Sequence, residues 1–229
     1  MIYLTGDKHG DFQSVELFCA KQQTTRDDLM IVLGDAGINF YADMRDVLRK
    51  KYIVELPITL LCIHGNHERR PDTLGVYEEA KWHDGIVYVE PEYPNILFAK
   101  DGEVYNLGGK KAIAIGGAYS IDKMWRVEGQ SWWPDEQPSP AIKARVERAL
   151  DQLDWKIDIV LSHTTPMKYE PIETFLPGID QSRVDKSTEE WLDGIEDRLD
   201  YCRWYCGHYH TMKKIDRLQL MFNDFDVLA

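Results

Sequence analysis

The sequence predicts an α/β protein, and three observations carry that expectation. Short apolar, β-branched runs recur along the chain, helix-like segments lie between them, and most of the runs end in a small polar cluster. The runs are Ile2–Thr5, Leu29–Leu33, Ile58–Ile63, Ala112–Ile115, Ile157–Leu161 and Trp204–Cys206, each about the length of a buried strand. Their ends read Gly6-Asp7, Gly34-Asp35, His64-Gly65-Asn66-His67, Ser162-His163 and Gly207-His208. The helical segments are Phe12–Gln23, Asp43–Val54, Pro140–Leu153 and Ser187–Leu199. Asp11 suits the N-cap of the first, and Ser187 begins a Ser-x-x-Glu capping box that ends at Glu190. Strand, polar loop, helix, strand is the order of an α/β layer architecture. In the middle of the chain the runs Ile86–Val89, Ile96–Phe98 and Val104–Leu107 are separated by Gly, Pro and Asn, which predicts hairpins and therefore a mixed sheet system. A Pro- and Trp-rich stretch, residues 122–140, interrupts the pattern as a long loop.

With 229 residues and neither internal repeat nor low-complexity linker, a single domain over residues 1–229 is expected. The net charge of −12 argues against a broad grip on nucleic acid but not against a phosphate-bearing substrate, since bound cations invert the local field. The first residues lack a basic region and an apolar core, so no signal peptide is read, and no apolar run approaches the ~20 residues that span a bilayer. Cysteine is sparse: Cys62 and Cys206 lie in apolar runs and read as buried thiols, and Cys202 with Cys206 is a weak metal spacing. A cytoplasmic location is expected.

In a parallel α/β sheet the strand ends share one edge, and here that edge collects Asp7, His9, Asp35, Asn66, His67, His163, His208 and His210. Five of the seven histidines fall in this set; His64 and His83 are assigned to structure. Imidazole with carboxylate, without thiolate, suits Mn, Fe, Zn or Ni. Eight groups exceed the three or four protein ligands of one catalytic ion, so two ions sharing a carboxylate are the economical reading. Such a pair binds a phosphoryl oxygen and turns a bridging water into hydroxide, and a nearby histidine that is not a ligand would protonate the leaving oxygen.

Gly6-Asp7-Lys8-His9-Gly10, Gly34-Asp35, Gly65-Asn66-His67-Glu68, the lone His163 and Gly207-His208-Tyr209-His210 together resemble the calcineurin-like metallophosphoesterases. The five blocks stand in that family's order from residue 6 to residue 210. The resemblance implies a four-layer α/β/β/α sandwich of two mixed sheets and a pair of divalent cations, manganese foremost. Carried over by position, Asp7, His9 and His210 would hold one ion, Asn66, His163 and His208 the other, and Asp35 would bridge them. His67 matches the proton donor. One departure stands out. The protein-phosphatase branch follows Gly-Asp with Asp-Arg-Gly, whereas this chain reads Ala36-Gly37-Ile38-Asn39, without the phosphate-holding arginine. Arg69, Arg70, Arg126 and Arg183 remain as candidates for that work, with Arg126 favoured because it follows a strand near the site.

The expected function is hydrolysis of a small-molecule or nucleotide phosphate mono- or diester. The alternatives are a non-catalytic metal-binding scaffold and a single-strand nuclease that uses the Trp-rich loop for stacking. Trp125, Trp132 and Trp133 are expected to anchor that loop rather than touch substrate. The acidic stretch 189–200 reads as a solvated helix face over core, with no function assigned to it. Strong nucleic-acid binding and membrane association are not expected, and the sequence leaves the oligomeric state open.

Overall fold

A computed structural model describes residues 1–228. In chain order its elements are β1 (Ile2–Thr5), α1 (Gln13–Gln22), β2 (Leu29–Val32), α2 (Met44–Ile53), β3 (Thr59–Cys62), β4 (Glu78–Trp82), β5 (Gly85–Val89), β6 (Ile96–Ala99), β7 (Val104–Leu107), β8 (Lys110–Ile115), α3 (Pro140–Asp151), β9 (Lys156–Ser162), α4 (Ser187–Glu196), β10 (Asp200–Cys206), β11 (Lys213–Ile215), β12 (Leu218–Leu220) and β13 (Phe225–Val227). They form two sheets, ordered β13-β1-β2-β3-β6-β5-β4 and β11-β12-β10-β9-β8-β7. Strands β1, β2, β3 and β6 run parallel, as do β8, β9, β10 and β12, with antiparallel strands at the edges.

The period of two along each strand sorts its side chains into two cores. Leu4, Ile31 and Leu61 of the first sheet meet Ala114, Ile159 and Leu161 of the second, filling the space between the sheets. Their neighbours Tyr3, Met30 and Leu60 point outward onto Phe12, Val15 and Ile53, which come from the α1 and α2 side. On the far face Ile113, Val160 and Trp204 pack against Val146, Leu150, Leu192 and Ile195 of α3 and α4. The result is the four-layer sandwich with mixed sheets. Strands buried on both faces read as unbroken apolar runs, which is why they are legible in the sequence.

Several details depart from expectation. β6 and β7 are consecutive but belong to different sheets, so the hairpins of the middle strands are β4–β5, β5–β6 and β7–β8. Helix α1 starts one residue late, with Phe12 at its N-cap, although the Asp11 carboxylate still accepts the Gln13 N–H at 3.0 Å. The capping box at Ser187 does not form: Ser187 is already helical, and Asp185 takes its N–H at 3.0 Å. Strand β4 gives no apolar signal because its side chains are largely exposed and polar. Strands β11, β12 and β13 have three residues each, too few to show a period. Cys19, Cys62 and Cys206 are buried free thiols, and Cys202 is an exposed one. Among the described residues no helix is long and apolar enough to cross a membrane.

Candidate active site

Five strand ends deliver the candidate residues. Asp7 and His9 follow β1, Asp35 follows β2, Asn66 and His67 follow β3, His163 follows β9, and His208 and His210 follow β10. Parallel pairing within each sheet opens these loops at common edges. The two edges are tied together directly. His163 Nδ1 lies 2.8 Å from the Leu33 carbonyl oxygen, and the His208 N–H donates to Asp7 Oδ1 at 2.9 Å. The Asp35 carbonyl accepts the N–H groups of Lys8 and His9 at 3.0 and 2.7 Å, closing the first loop onto the second.

The backbone here is bent into shapes that ordinary residues avoid. His9, Asp35, His208 and His210 have φ of 47°, 48°, 68° and 48°, all in the left-handed region. Each such conformation costs on the order of 1–2 kcal/mol, and clusters of them mark sites whose surroundings enforce a geometry. Two glycines admit the closest approaches. A Cβ on Gly34 would lie 1.9 Å from His163 Nδ1, and one on Gly65 would lie 2.0 Å from Asp35 Oδ1.

Asp7, His9 and His210 offer ligand atoms within 4.8 Å of one another. The Nε2 atoms of His9 and His210 are 2.9 Å apart, and His210 Nε2 is 3.2 Å from Asp7 Oδ2. Asn66 Oδ1 forms a second focus, 2.8 Å from His163 Nε2 and 3.1 Å from His208 Nδ1. Asp35 stands between the two: Oδ1 is 3.7 Å from His163 Nε2 and Oδ2 is 3.9 Å from His9 Nδ1. His9, Asp35 and His67 also satisfy the same distance condition, so the geometry alone does not separate His67 from the ligands.

These groups fit cations rather than each other. A carbonyl can only accept, so His163 Nδ1 carries a proton toward Leu33, and Nε2 is the ring atom turned to Asn66 Oδ1 at 2.8 Å. The Asn66 amide nitrogen is turned away, to Ser120 Oγ at 2.8 Å. The amide oxygen and the imidazole Nε2 are thus presented side by side, as two ligand atoms of one cation would be. The buried Asp7 Oδ2 is faced by two ring nitrogens, His210 Nε2 at 3.2 Å and His9 Nε2 at 3.8 Å. The carboxylates divide in the same sense. Burial opposes ionisation of Asp7, but His210 and the nearby His163 and His9 hold it well below the usual range. Burial and the charge of Asp7 push Asp35 well above it. Burial lowers His208 and His9. His210 is raised, first by its contact with Asp7. A pair of dications would let both carboxylates ionise together.

His67 and Arg126 stand beside this cluster. The His67 N–H donates to Asp35 Oδ1 at 2.8 Å, and its Nε2 is 3.4 Å from Arg126 Nη2. Arg126 is held by both oxygens of Asp122 at 2.7 and 2.6 Å and by the Ser131 carbonyl at 2.9 Å. It is therefore both an ion pair and a group at the site. Arg70 is withdrawn from that role because it is buried against Asp101 at 2.6 Å. Of the tryptophans, Trp133 is buried edge-on to Phe40 and Trp132 donates to Glu136 at 2.7 Å, as anchors should. Trp125 is 69% exposed and anchors nothing. His64 is buried and His83 Nδ1 sits 3.0 Å from the Asn106 carbonyl, and neither belongs to a group of potential metal ligands among the described residues.

Sequence reasoning gave no role to three residues here. Glu68, fully buried, accepts the N–H groups of Gly37 and Gly65 at 3.1 Å each and so joins the loops after β2 and β3. Burial and the charge of Asp35 push its carboxyl up to about 8. Its signal was an acid directly following Asn66-His67. Asp122 was visible only as an acid four residues before Arg126. Glu189 was placed on a solvated face but is 3% exposed, because its helix begins against Thr164, whose hydroxyl donates to it at 2.7 Å.

A crowd of histidines and acids at the carboxyl edge of two facing mixed sheets defines a metallophosphoesterase. The chain belongs to the calcineurin-like phosphoesterase family, whose sequence model matches residues 1–212. Members are in general metal-dependent hydrolases of phosphate esters. No curated protein matches the chain. Among solved structures it is similar to TT1561 of Thermus thermophilus, with 14% identity and a TM-score of 0.52 over 96% of this chain and 87% of that one. It is equally similar to a phosphopantetheinyl hydrolase, PptH, of Mycobacterium tuberculosis, with 15% identity, a TM-score of 0.51 and the same coverages. At that identity the likeness concerns the fold.

Proposed function

We propose that the protein hydrolyses a phosphate mono- or diester of a small molecule or nucleotide with two divalent cations, manganese foremost. The observation that carries this reading is the convergence of Asp7, His9 and His210 on one focus and Asn66, His163 and His208 on another, with one oxygen of Asp35 toward each. Bound there, the cations would supply a nucleophilic hydroxide at neutral pH and neutralise charge on the phosphoryl oxygens.

The protein's own residues do the rest. Asp35 fixes the spacing of the two foci, and Glu68 fixes the two loops that carry Asp35 and Asn66. Arg126, pinned by Asp122, presents its Nη2 edge beside His67, where the non-reacting phosphoryl oxygens would lie. In the free site the His67 imidazole is neutral, its pKa pushed down to about 3 first by burial and then by Arg126 and His9. A phosphoryl group with one oxygen against the exposed edges of Arg126 and His67 brings negative charge to the pair and favours the imidazolium. His67 then holds its proton at Nε2 for the departing oxygen.

The test is hydrolysis of p-nitrophenyl phosphate and bis-p-nitrophenyl phosphate, side by side, on manganese-loaded and chelator-treated protein. Metal-dependent release of nitrophenol from either ester supports the reading, and the faster ester assigns the class. No release from either, with two metal equivalents bound, contradicts it.

A further inference from the structure

A cavity of about 400 Å³ shares Asn66, His67 and His210 with the site. The rest of its wall includes Tyr119 and Ile121, after β8, the segment between β9 and α4, Glu189 in α4 and Tyr209 after β10. That segment makes three short turns, Met167–Tyr169, Ile172–Thr174 and Gln181–Arg183, and contributes Phe175, Leu176 and Val184 to the lining. Together with Tyr119, Ile121 and Tyr209 these give the cavity an aromatic and aliphatic patch among polar groups, a lining suited to an organic group that carries a polar function.

The charged groups in the wall are nearly all spoken for. Lys186 donates to both oxygens of Glu170 at 2.8 Å, and Asp122 is held by Arg126. The Tyr209 hydroxyl donates to Glu170 at 3.1 Å. Glu189 is the exception. Its Oε1 accepts from Thr164, while its Oε2 is buried with no partner. A buried carboxyl oxygen without a donor is unfavourable, so an arriving N–H has something to gain there and an arriving anion does not. Burial pushes this carboxyl up to about 7, poised for a cation to ionise it.

We propose that this cavity receives the leaving group of the ester and selects an aromatic alcohol bearing an amine or amide N–H for Glu189. The assignment rests on the phosphoesterase reading for the position of the phosphoryl group. It adds the chemistry of the other half of the substrate.

Three esters isolate the far end while keeping the phosphoryl group and the ring constant: 4-(aminomethyl)phenyl, phenyl and 4-carboxyphenyl phosphate. On manganese-loaded protein kcat/KM should fall in that order, by about tenfold or more from first to last. Glu189→Gln keeps the side-chain volume and an acceptor for Thr164, and should erase most of the advantage of the amine. Equal kcat/KM for the three, or an unchanged ranking in Glu189→Gln, overturns the assignment. If none is hydrolysed with two metals bound, it is the phosphoesterase reading that fails. Binding of the free phenols, followed by NMR, then decides the cavity alone. Tighter binding of 4-(aminomethyl)phenol than of 4-hydroxybenzoate, lost in Glu189→Gln, supports it, and equal or reversed binding overturns it.

Discussion

His67 donates to Asp35 through its backbone N–H, not its ring, so removing the imidazole leaves the Asp35 carboxylate this hydrogen bond. His67→Ala should therefore lower kcat by about 10²–10⁴-fold, the usual worth of a general acid, while elemental analysis still finds two metals per chain. Loss of a metal equivalent would instead place His67 with His9 and Asp35 among the ligands. Glu189 makes a prediction about stability. Its carboxyl is raised from the ordinary 4.5 to about 7, first by burial, with Glu170 adding to the shift and Lys186 and Thr164 opposing it. Below pH 4.5 the group is neutral folded or unfolded, and its neutral, buried form is fully favourable. As pH rises toward 7 the unfolded chain ionises it and the folded one does not, so stability falls across that window. Glu189→Gln should thus gain on the parent between about pH 4.5 and 7, by at most about 3 kcal/mol, and hold that gain above. Urea midpoints at about pH 5, 6, 7 and 8 check it; a constant difference would mean the carboxyl titrates normally. At this scale the sequence showed which residue types crowd the strand ends. It could not show that Glu189 is buried or that Asp122 grips Arg126, because both facts depend on how loops return to the site.

At the scale of elements, the strand ends place the chemistry and the turns after them aim it. The apolar runs of β1, β2, β3, β9 and β10 were legible because each is buried on both faces. The left-handed conformations at His9, Asp35, His208 and His210 were not, since no residue there except the flanking glycines announces a positive φ. Gly34→Ala tests how tightly these turns are packed. It adds a Cβ 1.9 Å from His163 Nδ1 at a residue with φ of +96°. The expected result is a loss of about 2–4 kcal/mol in urea unfolding together with one metal equivalent, since His163 must leave the Leu33 carbonyl. Full metal occupancy in a destabilised Gly34→Ala would show that His163 is not needed as a ligand. The capping box at Ser187 illustrates the opposite lesson: a correct local pattern gave way to Asp185, which lies just upstream of the box.

For the whole molecule, the site exists only where the edges of two sheets meet, and candidate ligands separated by some 200 residues in sequence touch across that rim. On the two-cation reading metal and fold are linked: ions that bind the folded chain alone stabilise it, by about 2.7 kcal/mol per site and about 5 kcal/mol for two when free metal exceeds Kd a hundredfold. For a chain of this size chelation of both ions should lower Tm by about 10–20 °C. An unchanged melt after verified metal removal would contradict ligation by residues from both sheets. The layer order was foreseeable from the resemblance of five short blocks. The assignment of β6 and β7 to different sheets was not, because consecutive hairpin-like strands look alike whichever sheet accepts them. The most direct test of the central claim is a titration of chelator-stripped protein with manganese, following hydrolysis of the better p-nitrophenyl ester. Two cations bridged by Asp35 predict that turnover climbs to a plateau at two equivalents per chain. A plateau at one equivalent, or two equivalents bound without turnover, would contradict it.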